Sequence, residues 1–331
     1  MTHSRSFLVS AAWRWGLAVA VIISIGCAKT PIAQSPDPSV QTDPAAPPPA
    51  VPAPPTPKDA TEIARSLIPT AVTASLEMER LLHHPLGKRL IRLPDVVSIL
   101  ESTDLDPQND ISSLFLASTG LSRQDEAILV IRHSMTPERL NEAIEKAIER
   151  SDPPGQWLNK STVRVARIHI RSEPVGLVLA DPDLLIVLQS ERIATAKVFD
   201  GPLMYPPSDS QDDLVVSMQN PSTALRPYVR GIPATLSEAQ VRVRLVDDGG
   251  AVLVANARST TAEQAVTDAE ELTRLVERLT TVKVSVVRIH LFRPVVFRAE
   301  QEMVEARVSL RPDEVRKLIS MMDMLISKGN P

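Results

Sequence analysis

Eleven of the thirty residues from Ala28 to Pro57 are proline. Each proline fixes φ and removes a backbone donor, so this stretch can neither pair in a sheet nor continue a helix. It divides the chain into an apolar head, an extended spacer and a long remainder. The spacer is expected to be a disordered, polyproline-like stalk with an upper reach of about 90 Å. Whatever folds must fold after it, from about Lys58 onward.

The head ends at Ser24-Ile25-Gly26-Cys27, which contains the only cysteine of the chain. Leu17 to Gly26 is apolar apart from Ser24, Arg5 and Arg14 supply positive charge, and no acid precedes Cys27. That order of charged, apolar and small residues is that of a secretion signal. The segment resembles bacterial lipoprotein signal peptides, in which small residues precede a cysteine that receives a diacylglycerol and becomes the first mature residue. Gly26 and Cys27 fit, Ile25 is tolerated, and Ser24 stands where that family usually has Leu. The resemblance implies a signal peptide over 1–26, a lipidated Cys27 heading a linker over 27–57, and a membrane lipid as its partner. Ala28 in place of Asp leans toward the outer membrane of a Gram-negative bacterium, facing the periplasm or the surface. Simple secretion with cleavage after Ala28 and an uncleaved anchor stay open. The run from Leu17 to Cys27 is short for a bilayer span, which needs about 20 apolar residues. Extending it back to Ser6 would place Arg14 inside the membrane.

Charge and cysteine usage narrow the chemistry. The chain carries a net charge of -4. Losing residues 1–26 removes two arginines and no acid, which gives -6. That balance offers nothing to nucleic acid. With Cys27 lipidated, no thiol remains for a disulfide, a nucleophile or a zinc thiolate site. Aromatic residues make up 3% of the chain, and Trp157 is the one tryptophan outside the head. Stacking platforms for bases or sugars are hard to build from so few rings.

The remainder reads as α+β: two modules of mainly antiparallel sheet packed against helices, 58–206 and 207–331, meeting near Ser208 to Asp213. In the first module, Ile68 to Met78 is expected to be a strand entering a helix, interrupted at His83-His84-Pro85-Leu86-Gly87. Leu90, Ile91, Val96, Val97 and Leu100 resume an apolar face. Asp106 and Pro107 are expected to cap a short helix that buries Ile111, Leu114 and Phe115. Ala127 to Ile131 is a strand, and Thr136-Pro137 opens a helix through Arg150 with Leu140, Ala143, Ile144 and Ala147 on one stripe. Strands follow around Val163 to Ile170, Val175 to Leu179 and Leu184 to Leu188. Hairpin signals interrupt every crossover series, which argues against a doubly wound parallel sheet.

In the second module, Leu214 to Met218 is a strand and Asn220-Pro221 starts a short helix. Gln240 to Leu245 and Ala251 to Ala257 form a hairpin about Asp247-Asp248-Gly249-Gly250. Its Arg242 and Arg244 are expected on the solvated face. Thr261 and Gln264 open the longest helix, with Ala265, Val266, Ala269, Leu272, Leu275, Val276 and Leu279 as its buried stripe. Val304 to Leu310 is a strand, and a final helix from Pro312 carries Met321, Met322 and Met324 as core. Arg167-Ile168-His169-Ile170 faintly repeats as Arg288-Ile289-His290-Leu291.

Catalytic and cofactor signals are weak throughout. Asp104, Asp106 and Asp110 have calcium-like spacing, but Asn109 and Phe115 stand where the loop glycine and closing acid belong. His83 and His84 are adjacent, and His133 and His169 could face each other across a sheet, without a third ligand at a readable spacing. No serine sits in a nucleophile elbow and no glycine-rich phosphate loop follows a strand. No cofactor and no catalytic residue is predicted; Cys27 is the one site residue. The stalk together with His83-Pro85-Leu86-Gly87 and Leu105-Asp106-Pro107 is similar to uncharacterised lipoproteins of Gram-negative soil bacteria such as myxobacteria. That resemblance implies no activity. The sequence therefore points to a non-enzymatic, membrane-tethered envelope protein with an envelope protein as partner. A small-ligand-binding domain and an unrecognised hydrolase are the alternatives.

Overall fold

The computed structural model describes residues 56–90, 105–121, 125–158, 163–170, 173–206, 211–284, 287–290 and 294–328. Cys27, nearly all of the proline-rich stretch, the Ile91 to Leu100 segment, Asp104 and Ser208 lie outside them, as do the side chains of Met321, Met322 and Met324.

The elements in chain order begin with β1 (Lys58–Asp59), α1 (Ala60–Leu67), β2 (Val72–Glu77), α2 (Met78–His83), α3 (Pro85–Leu90), β3 (Ile111–Ser118), β4 (Ala127–His133) and α4 (Pro137–Arg150). Then come β5 (Gln156–Leu158), β6 (Arg164–Ile170), β7 (Glu173–Asp181), β8 (Leu184–Gln189), a 3-10 segment (Ser190–Phe199) and β9 (Leu203–Met204). The rest is β10 (Leu214–Gln219), α5 (Pro221–Ala224), β11 (Leu236–Leu245), β12 (Ala251–Ser259), α6 (Ala262–Thr280), β13 (Thr281–Val284), β14 (Val287–His290), β15 (Arg298–Glu300), β16 (Met303–Leu310) and α7 (Pro312–Lys328).

The fold is α+β, and its two runs of antiparallel sheet join edge to edge. The order is β15-β16-β12-β11-β10-β2-β3-β4-β8-β7-β6-β5. One run is built from residues 72–189 and the other from 214–310. They meet where β2 pairs with β10, Val72 opposite Met218 and Leu76 opposite Leu214. Among the described residues, both ends of the sheet are three-residue strands, β5 and β15.

Alternation decides which side chains face which layer. Val72, Ala74 and Leu76 of β2, Leu214, Val216 and Met218 of β10 and Val241, Val243 and Leu245 of β11 point into one core that spans both runs. Helix α4 covers this face with Leu140, Ala143, Ile144 and Ala147. Fully burying one Leu or Ile contributes about 1.5–3 kcal/mol. Thr136 caps the helix by accepting from Arg139 N, as its sequence position predicts. Among the described residues, a second core lies on the opposite face, in the first run. There α1 and the 3-10 segment enclose Phe115, Ile128, Val130, Ile186 and Phe199. Strand β8 is buried along its whole length, in keeping with its apolar run from Leu184 to Leu188.

Two expectations are corrected. Residues 107–110 form a turn, and Ile111 to Ser118 is a strand rather than a helix face. Asp106 caps that turn through Gln108 N at 2.9 Å, while Asp110 accepts from Asp106 N at 2.8 Å. Strand β3 sits between β2 and β4, so apolar residues on both its faces mimic a helical spacing. On α6 the cap from Thr261 to Gln264 N is present, but Val266 and Leu279 are 54% and 42% exposed. The buried stripe runs instead through Ala265, Asp268, Ala269, Leu272, Leu275, Val276 and Thr280. Asp268 is fully buried and accepts from Ser259 Oγ, Thr235 Oγ1 and Gln264 Nε2 at 2.6, 2.7 and 2.9 Å. Those bonds tie α6 to the end of β12 and to the approach to β11.

Candidate functional site

The join of the two runs has a cleft at one end and a groove at the other. The groove, about 520 Å³, lies beside α1 and is lined by Arg65, Thr73, Ser217, Gln219 and Gln240. The cleft, about 330 Å³, lies between the corner of α2 and α3 and the β11–β12 turn. Glu79, Arg80 and His83 to Pro85 form one wall, and Leu245 to Asp247 with Gly249 form the other.

Local sequence builds both walls. Pro85 cannot continue α2, so the chain turns at His84 and restarts as α3. Gly87 allows the corner to close, since a Cβ there would stand 1.7 Å from Leu81 O. Across the cleft, Gly249 adopts φ +87, a left-handed conformation suited to glycine, and Asp248 accepts from Gly250 N.

Ionic and hydrogen bonds then cross the join. Arg80 donates to Gln211 O at 3.0 Å. Its Nε lies 2.9 Å from Asp213 Oδ1, off the line of a hydrogen bond, so that contact is an ion pair. The other oxygen of Asp213 accepts from Leu245 N at 2.7 Å. Asp213 is fully buried, and burial pushes its carboxyl above the ordinary range despite the Leu245 amide and Arg80. His84 is buried as well. Its Nδ1 lies 3.2 Å from Leu86 N, and its Nε2 lies 2.9 Å from Gly250 O. His83 uses Nδ1 on Glu79 O. Glu79, Asp247 and the free edge of His83 are therefore the polar groups that the cleft offers to a guest, beside Pro85, Leu245 and Val246.

The other sequence candidates are kept apart. Among the described residues, no group of three or more His, Cys, Asp or Glu side chains could hold a metal ion. Asp106 and Asp110 serve the turn described above. His169 meets Ser151, with Nδ1 3.3 Å from Oγ, not His133. That serine gives its proton to Pro153 O at 2.7 Å and accepts from His169 N at 2.6 Å. It is thus committed to shaping the chain after α4 rather than poised as a nucleophile. Arg242 and Arg244 do lie on the outer face of β11, 40% and 43% exposed, and both turn toward Asp212.

No family model matches the chain, and no curated protein sequence matches it. Among solved structures, those titled crystal forms I, III and IV of TP0453 bear a weak likeness to it. Form III has a TM-score of 0.47 at 12% identity, form I 0.45 at 14% and form IV 0.44 at 12%. Each covers 76% of this chain and 92–94% of its own. Likeness at that level passes no ligand, partner or activity to this chain.

Sequence reasoning missed the cleft because its walls are about 160 residues apart. It also set His133 facing His169, whereas His169 meets Ser151. His133 is 3% exposed, and neither ring nitrogen has a hydrogen-bond partner. Burial lowers its pKa, although Asp183, Asp110 and the nearby Met135 backbone favour the charged ring. The unfolded chain therefore binds this proton more readily, and stability falls as pH drops below about 6.5 through the folded value. His133→Leu removes an unsatisfied buried group without changing the volume much. It should leave the neutral-pH melting temperature unchanged or raised, and flatten the acid side of a stability–pH curve. A large loss of stability at pH 7.5 would contradict this account.

Proposed function

We propose that this chain is a lipid-anchored protein of the bacterial envelope, held through Cys27, whose folded part binds another envelope component without catalysing a reaction. The single observation behind the tether is the order of the sequence: apolar head, Gly26-Cys27, proline-rich spacer, folded remainder. Processing would remove 1–26, leave 27–57 as the stalk, and present 58–206 and 207–331 as two modules of one continuous sheet. Ala28 favours the outer membrane as the destination.

The cleft supports a binding role because the polar groups within it are largely engaged in holding its walls. His84, Arg80 and Asp213 are bonded to the fold, so Glu79, His83, Asp247 and the adjoining apolar side chains are left to recognise. Photo-reactive residues placed singly at Glu79 and Val246 should cross-link the same envelope protein in intact cells. One placed at Glu145, on the exposed side of α4, should not. Absence of any cross-linked species from the two cleft positions counts against the reading. A small ligand is the second reading, favoured by the polar groove near Arg65 and Gln240. Native mass spectrometry of the purified chain would then show a bound small molecule and no protein partner.

A further inference from the structure

The 520 Å³ groove beside α1 offers a guest different chemistry from the cleft. Its floor is a row of side chains that crosses the join. Thr73 of β2 stands opposite Ser217 of β10, and Ser217 stands opposite Gln240 of β11. With neighbouring strands about 4.8 Å apart, the row is about 10 Å long. Alternation turns Val72 and Met218 to the core on the other side, and Ala71 packs against that core as well. The apolar residues of the lining are thus already spent on the fold. A lipid chain or an apolar peptide side chain gains little by entering.

Each side chain in the row can both donate and accept. Gln240 Nε2 donates to Ser217 Oγ at 3.2 Å, which leaves the Ser217 hydrogen and the Gln240 oxygen for a guest. Thr70 Oγ1 donates to Arg65 O at 3.0 Å and steadies the end of α1. The Arg65 guanidinium is exposed and lies 5.0 Å from the centre of the buried Phe115 ring. That contact holds the charge over the sheet. No carboxylate lines the groove. Glu238, opposite Gln219, is held by Arg258 at 2.7 Å.

A guanidinium presents paired N–H donors that match a carboxylate. Hydroxyls and carboxamides match groups that donate and accept at once, as sugar hydroxyls do. A free phosphate is chiefly an acceptor and leaves the Gln240 oxygen unanswered. We propose that the groove takes a sugar acid, with its carboxylate on Arg65 and its hydroxyls on Thr73, Ser217 and Gln240. This names a ligand class for the small-ligand reading above and rests on that reading. The face of Phe115 is taken by Arg65, so recognition is by hydrogen bonds rather than by stacking.

Ligand-observed NMR on the full chain tests the assignment, with galacturonate, galactose and inorganic phosphate as probes. Galacturonate should bind about tenfold more tightly than galactose, the margin of hydrogen bonds to a charged over a neutral group. Arg65→Gln should abolish that margin and leave galactose binding unchanged. Arg274→Gln, which removes an exposed charge from α6, should keep the margin. Gln240→Ala should weaken both sugars alike. A wild type that does not bind galacturonate, or that binds galactose or phosphate as tightly, overturns the inference. So does a margin that survives Arg65→Gln, or one lost equally in Arg274→Gln. Native mass spectrometry separates this from the broader reading. A co-purifying small molecule without a carboxylate overturns the sugar acid and leaves a small ligand standing. A chain that takes up no probe and carries no small molecule loses both.

Discussion

Cys27→Ser should release the protein from membranes into the soluble fraction, or leave an unprocessed precursor. The effect should be close to all-or-none. Several acyl chains on one cysteine hold firmly, because each buried methylene contributes about 0.8 kcal/mol. Serine cannot form the thioether through which they attach. No helix among the described residues is long and apolar enough to cross a membrane. The chain's net charge is -4, and removal of residues 1–26 with their two arginines would leave -6, which gives no attraction to anionic lipid. Mass spectrometry of the purified membrane form should find an acylated Cys27 at its N-terminus. An unmodified N-terminus at Lys29, an intact Met1, or a serine variant that stays with membranes after normal processing would each refute the tether.

Asp268→Ala should be the most damaging single substitution of a polar residue in the second run. It strips the acceptor from three donors at once, Ser259, Thr235 and Gln264. Hydrogen bonds to a charged group contribute about 1.5–3 kcal/mol each, and the donors left behind carry their own desolvation penalty. Partial relaxation brings the expected loss to about 3–5 kcal/mol, a large share of the 5–15 kcal/mol typical of a whole domain. Melting should fall by roughly 6–20 °C at the usual 2–4 °C per kcal/mol for a chain of this size. Asp268→Asn should cost less, about 1–2 kcal/mol. Its amide can donate to Ser259 Oγ once that hydroxyl rotates, while its oxygen keeps the other donors. Equal melting of Asp268→Ala and wild type would show that the three bonds contribute little.

Local rules made the best-read elements legible. Thr136-Pro137 and Thr261 with Gln264 announced their helices because a cap is decided within four residues. Asp247 to Gly250 announced its hairpin for the same reason. The strand after Asp106 was misread because its position in the middle of the sheet buries both faces, and two-sided burial erases the period of two. Val266 and Leu279 were assigned to the α6 core by their apolarity, while Asp268 and Thr280 were not. The arc that faces the sheet is set by tertiary docking, and Asp268 enters it only because Thr235 and Ser259 wait there. The cleft, the Asp213 pair and the His84 bonds depend on β2 meeting β10, a pairing between distant segments. The Arg167 to Ile170 echo likewise comes to little in space: its first copy lies in the large sheet, and residues 288–290 lie in the separate β13–β14 pair.

The three-residue strands at the two ends of the sheet bear on crowding. Proteins held on a surface meet their neighbours in two dimensions, at high local concentration and in similar orientations. A long, flat bordering strand would there act as a template, and sheets could add to one another laterally into ribbons. β15 is too short to offer such a template, and it presents Arg298 and Glu300 at its border. If the chain is held on a membrane as proposed, a border strand this short keeps the template for lateral pairing small.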